Sequence, residues 1–143
     1  MSDRRQPRLI FGLMRAQRAI RRWIDARAAD TPISAAGAGV LFHLARDTPS
    51  RVTDIAAALD ASPAATTGLI HRLETAGIVT KTPDPTDARS TLVDLTDHGR
   101  TLLPAAKRIL AELNAHVTEG FTVDELATVE RWLEQASRLR PTE

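Results

Sequence analysis

The chain has 143 residues, a formal net charge of +1, a hydrophobic share of 43% and a charged share of 26%, which is enough to bury one core with a helical appendage. Aromatic residues make up only 3%, and neither Tyr nor Cys occurs; this favours close-packed helices over a sheet sandwich and excludes disulfides, thiolate metal sites and thiol sensing. No apolar run approaches the roughly 20 residues needed to cross a bilayer, and the polar start 1–7 leads directly into an amphipathic segment without a signal-peptide core, so a cytoplasmic protein without membrane contact is expected.

Charge is unevenly spread. Residues 1–29 hold eight Arg against Asp3 and Asp25, a balance of +6, whereas 51–101 hold five basic and seven acidic residues, a balance of −2. The Arg-rich start suits either phosphate contact or a solvated helix face. If the middle of the chain reads nucleic acid, it does so with a few placed cations.

Over 9–29, Leu9, Leu13, Ile20 and Ile24, with Ile10, Met14 and Trp23, recur at three- and four-residue steps, which predicts a long amphipathic helix. Thr31-Pro32 should end it, because the residue before Pro avoids the helical region. Ser34 is placed to cap a second helix that buries Val40, Leu41 and Leu44 and stops near Asp47-Thr48-Pro49. A short helix over 53–59 sets Ile55, Ala56 and Leu59 on one face. Asp60-Ala61-Ser62-Pro63 then supplies a break, an N-cap Ser and a Pro at the first helical position. The next helix, 63–76, buries Leu69, Ile70 and Leu73 and ends at Gly77. Two short helices with small residues at the joint form the helix-turn-helix pattern.

After Gly77 the apolar period changes from 3.6 to 2. Residues 78–82 and 91–95 read as paired strands with a polar loop, 83–90, between them, which makes a wing. Thr96 then caps a long helix through about 119, with Leu102, Ala106, Ile109, Leu113 and Val117 on its stripe and Pro104 inside it as a source of a kink. Gly120 breaks the chain before a last helix, 122–139, that carries Leu126, Val129, Leu133 and Ala136. The predicted fold is mainly α: a winged helix-turn-helix lobe, 33–96, between helices at 1–30 and 97–143. Apolar stripes on both terminal helices call for a partner subunit, and a two-fold homodimer is the simplest closure.

A recognition helix turns its N-terminal residues to base edges in the major groove. Here these are Ser62, Ala64, Ala65, Thr66, Thr67 and Gly68, followed one turn on by His71 and Arg72. Small residues admit the helix closely, Thr methyls suit thymine, and hydroxyls suit phosphate; an ion-paired Arg72 and a merely solvated His71 are the bland alternatives. On the hairpin, Lys81, Asp87, Arg89 and Thr91 complete the candidate set. Asp87 is spaced to hold the Arg89 guanidinium for insertion into a minor groove, or else the two form an ordinary surface ion pair.

The run from Asp87-Ala88-Arg89 through Leu95-Thr96, followed by Gly99-Arg100, resembles the signature of the MarR family of winged-helix regulators. Asp54-Ile55-Ala56, Leu73-Glu74 and Gly77-Ile78-Val79 look like the same family's helix-turn-helix. The resemblance covers about 33–104. It implies a ligand-responsive repressor that binds double-stranded DNA at a palindromic operator as a homodimer, with Arg89 in the minor groove and Asp87 as its partner. Gly68 and Ala65 stand where many members carry a basic residue and a hydroxyl. The family's effectors are often small aromatic or anionic molecules, for which Trp23 and His43 are the candidate ligand-binding residues. No cofactor or metal is implied. No phosphate-binding Gly-rich loop, G-x-S-x-G or H-E-x-x-H occurs, which argues against an enzyme; the competing reading is a helical protein–protein interaction module whose winged helix no longer binds DNA.

Overall fold

The computed structural model describes residues 8–29, 33–46 and 48–140; the helix stop expected at Thr31-Pro32, and Asp47 after the second helix, lie outside them. The chain forms two compact units, one ending at Leu110 and one beginning at Ala111.

In chain order the elements are α1 (Leu9–Arg27), α2 (Ala35–Arg46), β1 (Ser50–Arg51), α3 (Val52–Ala58), α4 (Pro63–Thr75), β2 (Val79–Asp84), β3 (Asp87–Leu95), α5 (Asp97–Thr118) and α6 (Val123–Ser137). The core of the first unit is built where the apolar periodicity places it. Val40, Leu41 and Leu44 of α2, Ile55 of α3, Leu69, Ile70 and Leu73 of α4, and Ile78, Val79, Val93 and Leu95 of the hairpin form one buried cluster. Each such side chain contributes about 1.5–3 kcal/mol on burial.

The helix starts follow the sequence signals. Ser34 Oγ accepts from the Gly37 N–H at 3.1 Å, and the Asp25 carboxylate, reaching from α1, accepts from the Ala35 N–H at 2.8 Å. Two of the four unpaired donors of α2 are thereby satisfied. Ser62 caps α4 by accepting from the Ala65 N–H, with Pro63 at the first helical position. Gly77 follows that helix at φ +73°, a left-handed value that favours Gly as the stop.

The three strands form an antiparallel sheet in the order β1-β3-β2. The pairing of β2 with β3 runs from Val79 opposite Leu95 to Pro83 opposite Thr91, and after a register shift to Asp84 opposite Asp87. Only Pro85 and Thr86 remain as the tip, so the hairpin is longer and its loop shorter than periodicity indicates. Pro83 signals a loop, yet β2 is an edge strand, where a missing N–H is tolerated. The two-residue β1 has no periodicity to read and was not foreseen.

Thr96 starts α5 by accepting from the Gly99 N–H at 3.0 Å while its hydroxyl donates to the carbonyls of Gly77 and Ile78. The helix packs so closely there that a Cβ on Gly99 would stand 2.2 Å from the Ile78 carbonyl oxygen. Only Gly fits. Helix α5 continues as a helix through Pro104.

In the second unit, Gly120 at φ +84° separates the last turns of α5 from α6. Thr122 and Glu125 form a reciprocal capping box at the start of α6. Leu113 is buried, but Val117, Phe121, Val123, Val129 and Leu133 stay exposed, as do Leu9, Ile10, Phe11 and Met14 of α1 in the first unit.

Candidate nucleic-acid interface

The first turns of α4 and the middle of the hairpin enclose a shallow depression of about 270 Å³, lined by Arg51, Thr53, Thr67, Lys81, Arg89, Ser90 and Thr91 among others. Four of the residues singled out from sequence, Thr67, Lys81, Arg89 and Thr91, therefore share one surface. Ser62, Ala64, Ala65, His71 and Arg72 are exposed on α4 but do not line it. The Arg72 guanidinium folds back over Gly68, where an added Cβ would lie 3.8 Å from Nη1, and Arg72 has no ion pair among the described residues.

Thr66 departs from its expected place. It is 1% exposed, within the core, and its hydroxyl donates to the Ser62 carbonyl at 3.0 Å. It lies on the same helical face as Leu69, Ile70 and Leu73, so the exposed run at the start of α4, Ser62 to Thr67, is interrupted at Thr66. The Thr67 hydroxyl donates to the Pro63 carbonyl at 2.9 Å, leaving its acceptor capacity on the exposed side.

The hairpin tip is held by two carboxylates with different tasks. Asp84 is buried. Its Oδ1 accepts from the Thr86 N–H at 2.8 Å and the Thr86 hydroxyl at 2.7 Å, and its Oδ2 accepts from Arg51 Nε at 2.8 Å. Arg51 Nη2 also donates to the Thr86 hydroxyl at 3.2 Å. The two bonds from Thr86, and then the Arg51 guanidinium, hold the Asp84 carboxyl below its ordinary value against the opposing effect of burial.

Asp87 accepts from the Arg89 main-chain N–H at 3.0 Å and from the Ser90 hydroxyl at 3.1 Å. The expected carboxylate–guanidinium pair between Asp87 and Arg89 is thus replaced by an Asx turn, because an Asp bonding the N–H two residues on is the local alternative available at a tight bend. The consequence is useful. Arg89 has a fixed main chain and an exposed guanidinium with no ion pair among the described residues. Lys81, by contrast, shares its charge with Glu74 at 3.4 Å.

Sequence reasoning missed Arg51, Thr53, Ser90 and Asp84. Arg51 sits in a strand too short for period analysis, and Asp84 looks like one more polar loop residue until the sheet buries it.

A separate pocket of about 220 Å³ in the first unit is lined by side chains of α1, α2 and α5, including Ile24, Phe42, Leu102 and Ile109. Neither Trp23 nor His43 lines it. The Trp23 ring carries the Arg27 guanidinium 5.0 Å from its centroid, and His43 Nε2 is 3.1 Å from Ser50 Oγ. The neighbouring positions Ile24 and Phe42 face the pocket instead, one residue round each helix.

A helix-turn-helix followed by a two-stranded hairpin, with exposed cations at the junction, defines a winged helix-turn-helix. Residues 33–91 match the family model described as the MarR family. No curated protein sequence matches the chain. Among solved structures, the transcriptional repressor CouR bound to a 23-mer DNA duplex superposes with TM-score 0.82 at 27% identity, over 91% of this chain and 92% of that one. A mutant MarR from E. coli complexed with operator DNA gives 0.82 at 25%, over 90% and 92%. BpsR of Bordetella bronchiseptica, whose DNA binding is regulated by 6-hydroxynicotinic acid, gives 0.85 at 23%, over 98% and 99%. The fold is that of MarR-family transcriptional regulators.

Proposed function

We propose that this chain is a ligand-responsive transcriptional repressor that acts in the cytoplasm and binds a palindromic operator as a homodimer. The observation that carries the reading is Arg89: an exposed guanidinium on a main chain fixed by Asp87, sharing one depression with Thr67 of α4. In this mechanism α4 enters the major groove through Ser62, Ala64, Ala65, Thr67 and Gly68, with His71 and Arg72 one turn on, while Arg89 reaches the adjacent minor groove. Lys81 and Thr91 take the phosphates between the two, and Arg51 keeps the wing in position. That CouR and E. coli MarR form complexes with DNA supports a DNA-binding role for this chain. The exposed apolar residues of α1 and α6 support association of two chains, since such stripes are normally covered. The pocket between α1, α2 and α5 supports a small-molecule effector.

The test is salt-dependent binding to the DNA upstream of the protein's own gene. Submicromolar binding by a dimer, with a steep log–log salt slope, supports the reading. A slope near zero, or no complex below micromolar protein, overturns it in favour of a protein–protein interaction module.

A further inference from the structure

The pocket between α1, α2 and α5 has a chemistry of its own. Its wall consists of Ile, Leu, Phe, Ala and Gly side chains with Ser34 as the sole polar member among the described residues. The Ser34 hydroxyl accepts from the Gly37 N–H in capping α2, so its O–H is the one side-chain donor on that wall among the described residues. Among the described residues no Lys, Arg or His lines the pocket, and the three residues between 29 and 33, Asp30-Thr31-Pro32, contain no cation in their sequence. The charged group bound to the wall is an acid: Asp25 accepts from the main-chain N–H of Ala35, a lining residue, at 2.8 Å. The guanidinium of Arg27, the nearest cation in sequence to Ala28, is over the Trp23 ring.

We infer that this pocket takes an uncharged, predominantly apolar small molecule and discriminates against carboxylates. The inference rests on the effector reading above and names the class of ligand, replacing the aromatic or anionic effector expected from the family. A carboxylate entering the pocket exchanges its hydration for an apolar wall with a single neutral hydroxyl donor and no cation among the described residues, and it does so beside a second negative charge. A neutral ring has no such penalty and gains from apolar burial. The size agrees: about 220 Å³ exceeds the roughly 150 Å³ of an engineered apolar cavity that binds benzene, so a substituted single ring fits. Gly39, on the pocket wall, also lies against α3, where an added Cβ would meet Leu59 Cδ2 at 2.7 Å. A ligand that presses on α2 therefore presses on the first helix of the helix-turn-helix.

The experiment compares benzoate with its methyl ester, two probes of nearly the same shape that differ in charge. Binding is read from the thermal shift of the DNA-free protein, so failure of the DNA-binding reading leaves the result interpretable. The ester should raise the melting temperature and bind about tenfold or more tightly than benzoate. Ala105→Lys, which sets an ammonium at the half-buried α5 wall, should shift the preference toward benzoate, and Ala105→Phe should abolish ester binding while the protein still melts cooperatively. Equal or tighter binding of benzoate by the unaltered protein overturns the inference. So does failure of both probes at millimolar concentration, the outcome expected if a side chain of a second copy fills the pocket.

Discussion

Arg51 Nε donates to Asp84 Oδ2 at 2.8 Å, tying the two-residue β1 to the far end of β2, 33 positions along the chain. This is the bond that makes the wing part of the lobe and not a free hairpin. Two-stranded ribbons are marginal alone; here a third strand and a buried carboxylate fix the tip.

The pH dependence of that contact has a definite sign. The Asp84 carboxyl is held below its ordinary value of 3.8, so the stabilisation it provides is fully present above that pH and is lost as pH falls through the lower, folded-state value. The Thr86 amide resonance should therefore titrate below pH 3.8, and Asp84→Asn should remove the titration and weaken DNA binding at neutral pH. A Thr86 shift that titrates unchanged in the variant would show that another group controls the tip.

Arg89→Ala should weaken operator binding by about 1–3 kcal/mol and lower the salt slope by about one, with no loss of dimer. Asp87→Ala removes the bonds from the Arg89 main chain and the Ser90 hydroxyl but leaves the guanidinium in place, so its effect should be smaller, about 0.5–1.5 kcal/mol, without the change in slope. Quantitative titrations at several salt concentrations separate the two.

Thr66 and Thr67 are adjacent but should behave oppositely. Thr66→Ser removes a buried methyl and should cost about 0.5–1.5 kcal/mol of stability, leaving the affinity of the folded protein for DNA unchanged. Thr67→Ala should leave the melting temperature nearly constant and weaken DNA binding. Chemical denaturation beside the titrations decides it; a DNA defect in the Thr66 variant at full folding would contradict the burial.

Two glycines give a similar contrast. Gly99→Ala forces a Cβ to 2.2 Å from the Ile78 carbonyl oxygen and should destabilise by about 1–3 kcal/mol. Gly68→Ala meets nothing closer than the Arg72 guanidinium at 3.8 Å and should stabilise α4 by up to about 1 kcal/mol through helix propensity. Thermal melts read both directly.

The order of the six helices and the two hairpin strands, the caps at Ser34, Ser62 and Thr96, and the buried faces of α2, α3 and α4 were legible in the sequence, whereas β1 was not. Each depends on interactions within a few residues, and helical or strand periodicity records them. The position of Arg89 on a hairpin after a helix-turn-helix was legible for the same reason. What Arg89 does with its charge was not. Asp87 bonds the main chain two residues on, a local choice that residue spacing leaves open; only the tertiary structure buried Asp84 against Arg51 and extended the strands past Pro83, because those outcomes depend on which groups the sheet brings together from distant positions. The pocket is the clearest case. Trp23 and His43 are the residues whose chemistry suggests a ligand, but packing rotated Ile24 and Phe42 into the cavity, and with them an apolar wall that no local pattern specifies.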